Sequence, residues 1–297
     1  GQARPEWLKE WAQITAGVSV ALLLTLGAMG SARDYFVRWA SMPDLFYAFD
    51  AGFWEVGRAV AALPAGEPVY ITPRGSEHTT LAFAWRDRLG TPDEPIAFDG
   101  RHIFPMTAGA APQPEHYAVI EHEDFRTPLL LPEALPVATV AQLVTDGQGG
   151  DYARLYARPA GSEAARPPQV TLDEAIGDGI RLVGYDVQPA TLQPGGILYL
   201  QLHWLTDAVP ASDWTVFTHL VDPASDALMA GRDGPPGNGS LPTTRWQPGW
   251  RVLDEYQIAL PASLPPGEYL MRAGLYQPDG TQLLPGGVVL GNVTVQP

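Results

Sequence analysis

The sequence predicts an α+β chain in several parts: an N-terminal transmembrane helix, a small α/β domain and an all-β sandwich, immunoglobulin-like or jelly-roll-like. Three observations predict it. Residues 11–32 form one uncharged, mostly apolar run. Residues 50–157 pass between helical spacing and short β-rich runs. Residues 170–297 hold alternating strands punctuated by Pro-Gly turns. The expected order is a stub over 1–10, the membrane helix over 11–32 and a juxtamembrane segment over 33–49. The α/β domain over 50–157, a linker over 158–169 and the sandwich over 170–297 follow.

The apolar run reads WAQITAGVSVALLLTLGAMGSA, between Lys9-Glu10 and Arg33-Asp34. About 20 residues at roughly 1.5 Å each span the hydrocarbon core of a bilayer. Trp7 and Trp11 flank one end, and Tyr35, Phe36 and Trp39 the other, as aromatic belts at two interfaces require. A cleaved signal peptide would have a shorter core and a small-residue cleavage site. A buried soluble helix would carry a polar face. Gly17, Gly27 and Gly30 allow close helix approach, although no strict GxxxG pair occurs. Arg4 and Lys9 before the run balance Arg33 and Arg38 after it, so charge alone leaves the orientation open.

Composition removes whole classes of function. The 33 acidic residues exceed the 18 basic ones, for a net charge of -15. Such a surface repels phosphate backbones, so nucleic acid is not an expected partner. It is also repelled by anionic lipid, which suits domains held off the bilayer by an anchor. There is no cysteine, which excludes disulfides, thiolate metal sites and a cysteine nucleophile. Lys9 is the single lysine, so residues 33–297 have no lysine chemistry.

Along the α/β part, Phe53, Val56, Val60 and Leu63 recur at helical spacing until Pro64 stops them. PVYIT (68–72) is a strand, and 77–89 reads as a second helix. Short strands are expected at 95–98 and 116–121, a strand or short helix at 137–144, and an edge strand at 152–157. Residues 158–169 (RPAGSEAARPPQ) lose all apolar period, as a linker does. Beyond them Leu198, Leu200, Leu202 and Trp204 alternate with Tyr199, Gln201 and His203. Further strands are expected at 180–187, 214–221, 252–260, 269–276 and 288–295.

Candidate chemistry is sparse. Glu121-His122-Glu123-Asp124 follows a predicted strand, where ligands of a parallel sheet bind. Adjacent residues there point to opposite sides, so a solvated loop is the simpler reading, and a hydrolase built on Glu121 or Glu123 the bolder one. Glu77-His78 and Arg101-His102 lack any ligand-type partner at helical spacing. Asp222, Asp226, Asp233, Asn238 and Asp254 match no calcium-loop signature, and turn formation accounts for them. No G-x-S-x-G, P-loop or G-x-G-x-x-G occurs. No catalytic residue, metal or cofactor is therefore assigned. The sandwich holds many aromatics, and sugar rings stack their C–H faces on indoles. Trp204 belongs to the core phase of its strand. Trp246 and Trp250 flank Gln247-Pro248-Gly249 and are the expected exposed, glycan-binding pair.

A resemblance adds to this. The last membrane helix, DYFVRWA (34–40) and the helix before PVYITP (68–73) resemble the C-terminal region of bacterial polytopic glycosyltransferases. These are of the protein O-mannosyltransferase and aminoarabinose-transferase type, which use polyprenyl-linked sugar donors. RLVGYDV (181–187), LQLHW (200–204), TVFTHLVD (215–222), 232–250 and GEYLMRAGLYQPDG (267–280) resemble a sandwich module joined to such enzymes. The resemblance implies a bacterial cell membrane, with residues after 33 on the extracytoplasmic side. It implies partners in the lipid bilayer and in glycan or polyprenyl-linked sugar. It also implies that the catalytic acids lie in an early loop upstream of the last helix. The expected function is thus a non-catalytic extracytoplasmic part of a membrane glycosyltransferase, its sandwich positioning acceptor or glycan. The alternative is a stand-alone, single-span envelope protein that binds glycan or protein through the sandwich.

Overall fold

The computed structural model describes residues 6–39, 41–189 and 191–297. They form two compact units. The first comprises residues up to Gly52 together with Thr145–Gly150, and the second comprises Phe53–Val144 with Asp151–Pro297.

Helix α1 (Glu6–Arg33) dominates the first unit and continues as a wider π-helical turn over Asp34–Trp39. It is long and apolar enough to cross a membrane. Its 28 residues reach ~42 Å at 1.5 Å per residue, past the ~30 Å of bilayer hydrocarbon. None of residues 6–39 is buried, so its leucines and valines find no cover from protein. Its hydroxyls are satisfied within the helix: Thr15 Oγ1 donates to Trp11 O at 2.7 Å, and Thr25 Oγ1 to Ala21 O at 2.9 Å. Tyr35 stacks on Trp39 at 5.0 Å. Helix α2 (Asp44–Ala48) follows, and Tyr47 donates to Asp146 Oδ2 at 2.9 Å.

The second unit starts on helix α3 (Ala51–Ala61), then β1 (Val69–Thr72), helix α4 (Thr79–Ala84) and β2 (Ile96–Ala97). Next come β3 (Ile103–Thr107), β4 (Glu115–Val119), helix α5 (Thr127–Ala134), β5 (Thr139–Thr145) and β6 (Asp151–Arg158). Then follow β7 (Val170–Gly177), β8 (Ile180–Gln188), β9 (Thr191–Leu192), β10 (Ile197–Thr206) and β11 (Thr215–Val221). The last strands are β12 (Leu228–Gly234), β13 (Trp250–Ala259), β14 (Gly267–Tyr276) and β15 (Val288–Val295).

Three five-stranded sheets result. The α/β sheet has the order β2-β1-β4-β6-β5, with β2, β1 and β4 parallel and β6 antiparallel to β4. The sandwich pairs β3-β13-β10-β8-β7 with β12-β11-β14-β15-β9. The α+β class with its sandwich is therefore as the sequence predicts. Leu198, Leu200, Leu202 and Trp204 face the sandwich core, as their alternation requires.

One expectation needs correction: the strand at 152–157 lies between β4 and β5, not at an edge. Residues 159–169, within the expected linker, hold no helix or strand. Strand β3 is the edge strand of the sandwich, Phe104 opposite Leu253 and Thr107 opposite Trp250. Pro105 lacks an N–H, and the edge is where a sheet tolerates that. Tyr70, Tyr117 and Phe104 stack between the layers, at 4.7 and 5.4 Å, and Trp250 packs on Tyr70 at 5.6 Å.

Arg158 fastens this junction. It is fully buried, with its Nη1 at 2.8 Å from the buried Glu115 carboxylate. Nη1 also donates to Thr107 O at 3.0 Å, and Nη2 to Gly109 O and Ser162 O at 2.6 and 2.7 Å. Nε reaches Ser162 Oγ at 3.2 Å, so all five donors of the guanidinium are engaged. Arg158→Met leaves the buried Glu115 carboxylate without its cation and removes the side-chain donor to Thr107 O, while Gly109 O and Ser162 O keep the Ala164 and Ala111 N–H groups. It is expected to cost about 3–5 kcal/mol in urea unfolding of the full chain in detergent. Adding Glu115→Leu should restore part of that loss, because the unpaired buried charge is then gone.

Candidate functional site

The outward phase of the sandwich sheet builds the site. On β10 that phase is Tyr199, Gln201 and His203. Register places Asp186 of β8 and Glu255 of β13 on either side of Gln201. Gln188 and Gln257 flank Tyr199 in the same way. A polar row therefore lies across three strands on the face opposite the leucine core.

Helix α5 supplies the wall, and Asp124 fixes where it starts. Asp124 is fully buried at the end of the turn after β4. It accepts from Thr72 Oγ1 at 2.5 Å, Thr127 Oγ1 at 2.7 Å and the N–H groups of Arg126 and Thr127 at 3.1 and 3.0 Å. These bonds satisfy donors that a helix start leaves free. Gly100 closes the cluster by donating to Thr72 Oγ1 at 2.7 Å. A Cβ there would sit 2.0 Å from Thr127 Oγ1, so only glycine fits.

Arg126 then reaches across to the sandwich. Nε and Nη2 lie 3.0 and 2.9 Å from Glu255 Oε2, and Nη1 donates to Gly100 O at 2.9 Å. In the amide orientation that satisfies both neighbours, the Gln201 oxygen accepts from Arg126 Nη2 at 2.7 Å. Its nitrogen then donates to Asp186 Oδ2 at 3.3 Å. Arg166 joins Asp186 at 3.1 Å and Glu133 at 2.5 Å. One continuous chain of bonds thus runs from Glu133 through Arg166, Asp186, Gln201 and Arg126 to Glu255. It floors a cleft of about 250 Å³ whose apolar walls include Leu129 and the ring of Tyr199.

Burial pushes the Asp186 carboxyl up, but donors from His203, the Gln169 N–H and Arg166 outweigh it and hold it at about 2. His203 is fully buried, and burial holds its pKa below the ordinary value despite Asp186 Oδ2 at 3.3 Å. The site thus presents an ionised carboxylate and paired guanidiniums, with the buried His203 beneath them. That is the chemistry of recognition by hydrogen bonding: fixed acceptors and donors, with an aromatic face at the rim.

Asp254 differs. It faces the core, opposite Leu202, and is fully buried. Burial raises its carboxyl to about 7, against the Tyr256 hydroxyl at 2.6 Å and the Gly237 N–H at 3.0 Å. Gly237 has φ +57°, and a Cβ there would meet Ile103 Cγ2 at 2.4 Å. No ligand in the cleft reaches Asp254.

The sequence-predicted candidates fare unevenly. Trp246 and Trp250 are corrected: they are 0% and 5% exposed. Trp246 donates to Leu241 O at 3.1 Å and packs on Trp204, while Trp250 lies under Tyr70. Neither offers a face to a sugar. The cluster at 121–124 scatters: Glu121 pairs with Arg154 at 2.7 Å, Glu123 with Arg74 at 2.7 Å, and Asp124 is buried rather than solvated. Glu77 accepts from Gly75 N, His78 stacks on Phe53, and Arg101 pairs with Asp99. Asp222 holds its own turn, Asp226 pairs with Arg272, and Asp233 contacts His219. Among the described residues, no three His, Asp or Glu groups converge as a metal site would need. Sequence reasoning missed Gln201, Tyr199, Asp186 and Glu255. Their signal was the polar phase of β10 and its neighbours, read only as the back of a core strand.

No protein-family model matches the chain, and no curated protein matches it in sequence. Parts of solved structures resemble parts of the fold. A Pseudomonas fluorescens alkylpurine DNA glycosylase, AlkC, bound to DNA with an abasic site analog is 11% identical. That likeness has a TM-score of 0.28 and covers 41% of this chain and 31% of that one. The C-terminal domain of wzt is 16% identical, with a TM-score of 0.30, over 44% of this chain and 80% of that one. A Salmonella alpha-2-macroglobulin mutant is 15% identical, with a TM-score of 0.24, over 54% of this chain and 11% of that one. At these scores the likenesses carry no functional argument.

The folded protein holds the Asp254 proton to higher pH than the unfolded chain does. Stability attributable to it therefore falls as pH rises from about 4 to about 7, and levels off above. His203, neutral when folded, contributes the opposite slope. Asp254→Asn keeps a side-chain acceptor without the charge. Urea midpoints of this variant are expected to lose the decline between pH 4 and pH 7, and to exceed wild type by the largest margin above pH 7.

Proposed function

We propose that this chain is the membrane-anchored, extracytoplasmic and non-catalytic part of a bacterial membrane glycosyltransferase that uses a lipid-linked sugar. Its cleft holds a glycan or acceptor. The bond-forming residues belong to another part of that enzyme, and residues after 33 lie outside the cytoplasm. The observation that carries this reading is the six-residue bonded chain from Glu133 to Glu255 beneath Tyr199. A sugar offers hydroxyls that both donate and accept, and an apolar C–H face. Paired guanidiniums and carboxylates answer the first, and an exposed phenol ring the second. Hydrogen bonds to charged groups contribute about 1.5–3 kcal/mol each, enough to order a small polar ligand. The uncovered apolar helix supports a place at the bilayer, where lipid-linked donors reside.

Two measurements test this. On a glycan array, the full chain in detergent is expected to retain at least one glycan. Tyr199→Ala and Gln201→Ala should each weaken that binding about tenfold, a change of ~1.4 kcal/mol, with melting temperatures checked alongside. Retention of no glycan, or full binding by the double variant, overturns the reading. For orientation, the absence of native cysteine makes Asp279→Cys a clean reporter. A membrane-impermeant maleimide should label it in spheroplasts before lysis. Labelling only after lysis places residues 34–297 in the cytoplasm instead.

A further inference from the structure

The cleft does not end at Glu255. A second cavity of about 500 Å³ shares Arg126, Leu129 and Glu255 with it and extends to Gln257 and His102. A third, of about 230 Å³, shares His102, Glu255 and Gln257 with the second and ends at Arg232 and Asn238. Strand β3 pairs with β13 only as far as Asp254, so nothing from β3 covers Glu255 to Ala259. The three cavities therefore follow one another across β8, β10 and β13 towards the rim of the sandwich. Strands spaced ~4.8 Å apart put about 10 Å between the first and last of these three. That is wider than one sugar ring.

Each cavity repeats one combination. The first sets Tyr199, 42% exposed, beside Gln201 and Asp186. The second sets Phe125, 76% exposed, beside Arg101 and Glu255. The third sets Ile197, 42% exposed, beside Gln257 and Arg232. An apolar face next to hydrogen-bonding groups, three times in series, matches a polymer whose repeating unit has an apolar face and hydroxyls.

Charge narrows the class. Arg126 is paired with Glu255, Arg166 with Asp186 and Glu133, and Arg101 with Asp99 at 2.7 Å. Arg232 is bonded to Asn238 at 3.5 Å. Arg126, Arg166 and Arg101, already neutralised by carboxylates, offer little net field to a phosphate or uronate polymer, and the chain's net charge of -15 opposes one; Arg232, on a neutral amide, is the exception. Hydroxyls can bond to either half of an ion pair without breaking it.

We infer that this groove receives a linear, uncharged oligosaccharide over at least three consecutive units, rather than a single sugar. This rests on the glycan reading above and adds the length and charge of the ligand.

The test is calorimetry of the full chain in detergent against ladders of one to six units. The probes are β-1,4-linked glucose, β-1,4-linked mannose, α-1,4-linked glucose, α-1,6-linked mannose and β-1,4-linked N-acetylglucosamine. For the ladder that binds, affinity should rise at least tenfold from the monosaccharide to the trisaccharide and then level off. Arg232→Ala, at the far end, should weaken the hexamer at least fivefold and leave the disaccharide unchanged. Tyr199→Ala should weaken both. Equal affinity for monosaccharide and hexamer overturns the extended groove while glycan recognition stands. A hexamer insensitive to Arg232→Ala overturns it too. No binding by any ladder removes the recognition itself, and this inference with it.

Discussion

The fold depends on one sandwich strand that packs against the α/β layer. Residues 103–107 follow the turn at Gly100 and close the edge of the sandwich against Trp250–Asp254, while Phe104 stacks on Tyr117 of the α/β sheet. The buried Arg158–Glu115 pair clamps the far end of that strand, and the Tyr70–Tyr117–Phe104 stack fills the space beneath it. A buried ion pair is a poor source of stability unless every donor and acceptor is used. Here the guanidinium is saturated by backbone carbonyls from 107, 109 and 162. Its role is to set the position of β3, and with it the distance between the two layers.

The cleft is a consequence of that position. Asp124 starts helix α5 at the carboxyl end of β4, and the joined layers bring α5 over the outward face of β10. Arg126 can then span the gap, touching Gly100 on one side and Glu255 and Gln201 on the other. Without the packing of β3 on the α/β layer these groups would belong to separate surfaces. The apolar faces of Tyr199 and Leu129 would also have no opposite wall. Separate from this is the N-terminal helix, which is long and apolar enough to cross a membrane and has no buried residue.

What the sequence made legible follows from how locally each feature is encoded. A helix able to cross a membrane needs only length and apolarity, and residues 11–32 have both. The core phase of β10 is a strict period of two, so Leu198 to Trp204 could be placed without any partner. Strand β3 was not legible, because Pro105 in IFPMT suppresses a strand reading and only an edge position excuses it. Helix α5 was hidden in the same way: Pro128 and Pro132 interrupt its period, although Pro128 suits a first turn. Trp246 and Trp250 misled because turn residues around them suggest exposure. Their burial comes from Trp204 and Tyr70, which are distant in sequence. The site itself was in view as Tyr199, Gln201 and His203. Its meaning depended on register with β8 and β13 and on a helix from another layer, neither of which a single strand records.

The most direct test of the joined layers is native-state hydrogen exchange of the full chain in detergent, followed through increasing urea. Amides of Tyr117 in the α/β sheet, Phe104 in β3 and Leu200 in the sandwich are expected to open with the same free energy and the same dependence on urea. If Leu200 stays protected at urea concentrations where Tyr117 and Phe104 exchange freely, the layers fold independently. The packing of β3 on the α/β layer would then not be what builds the groove.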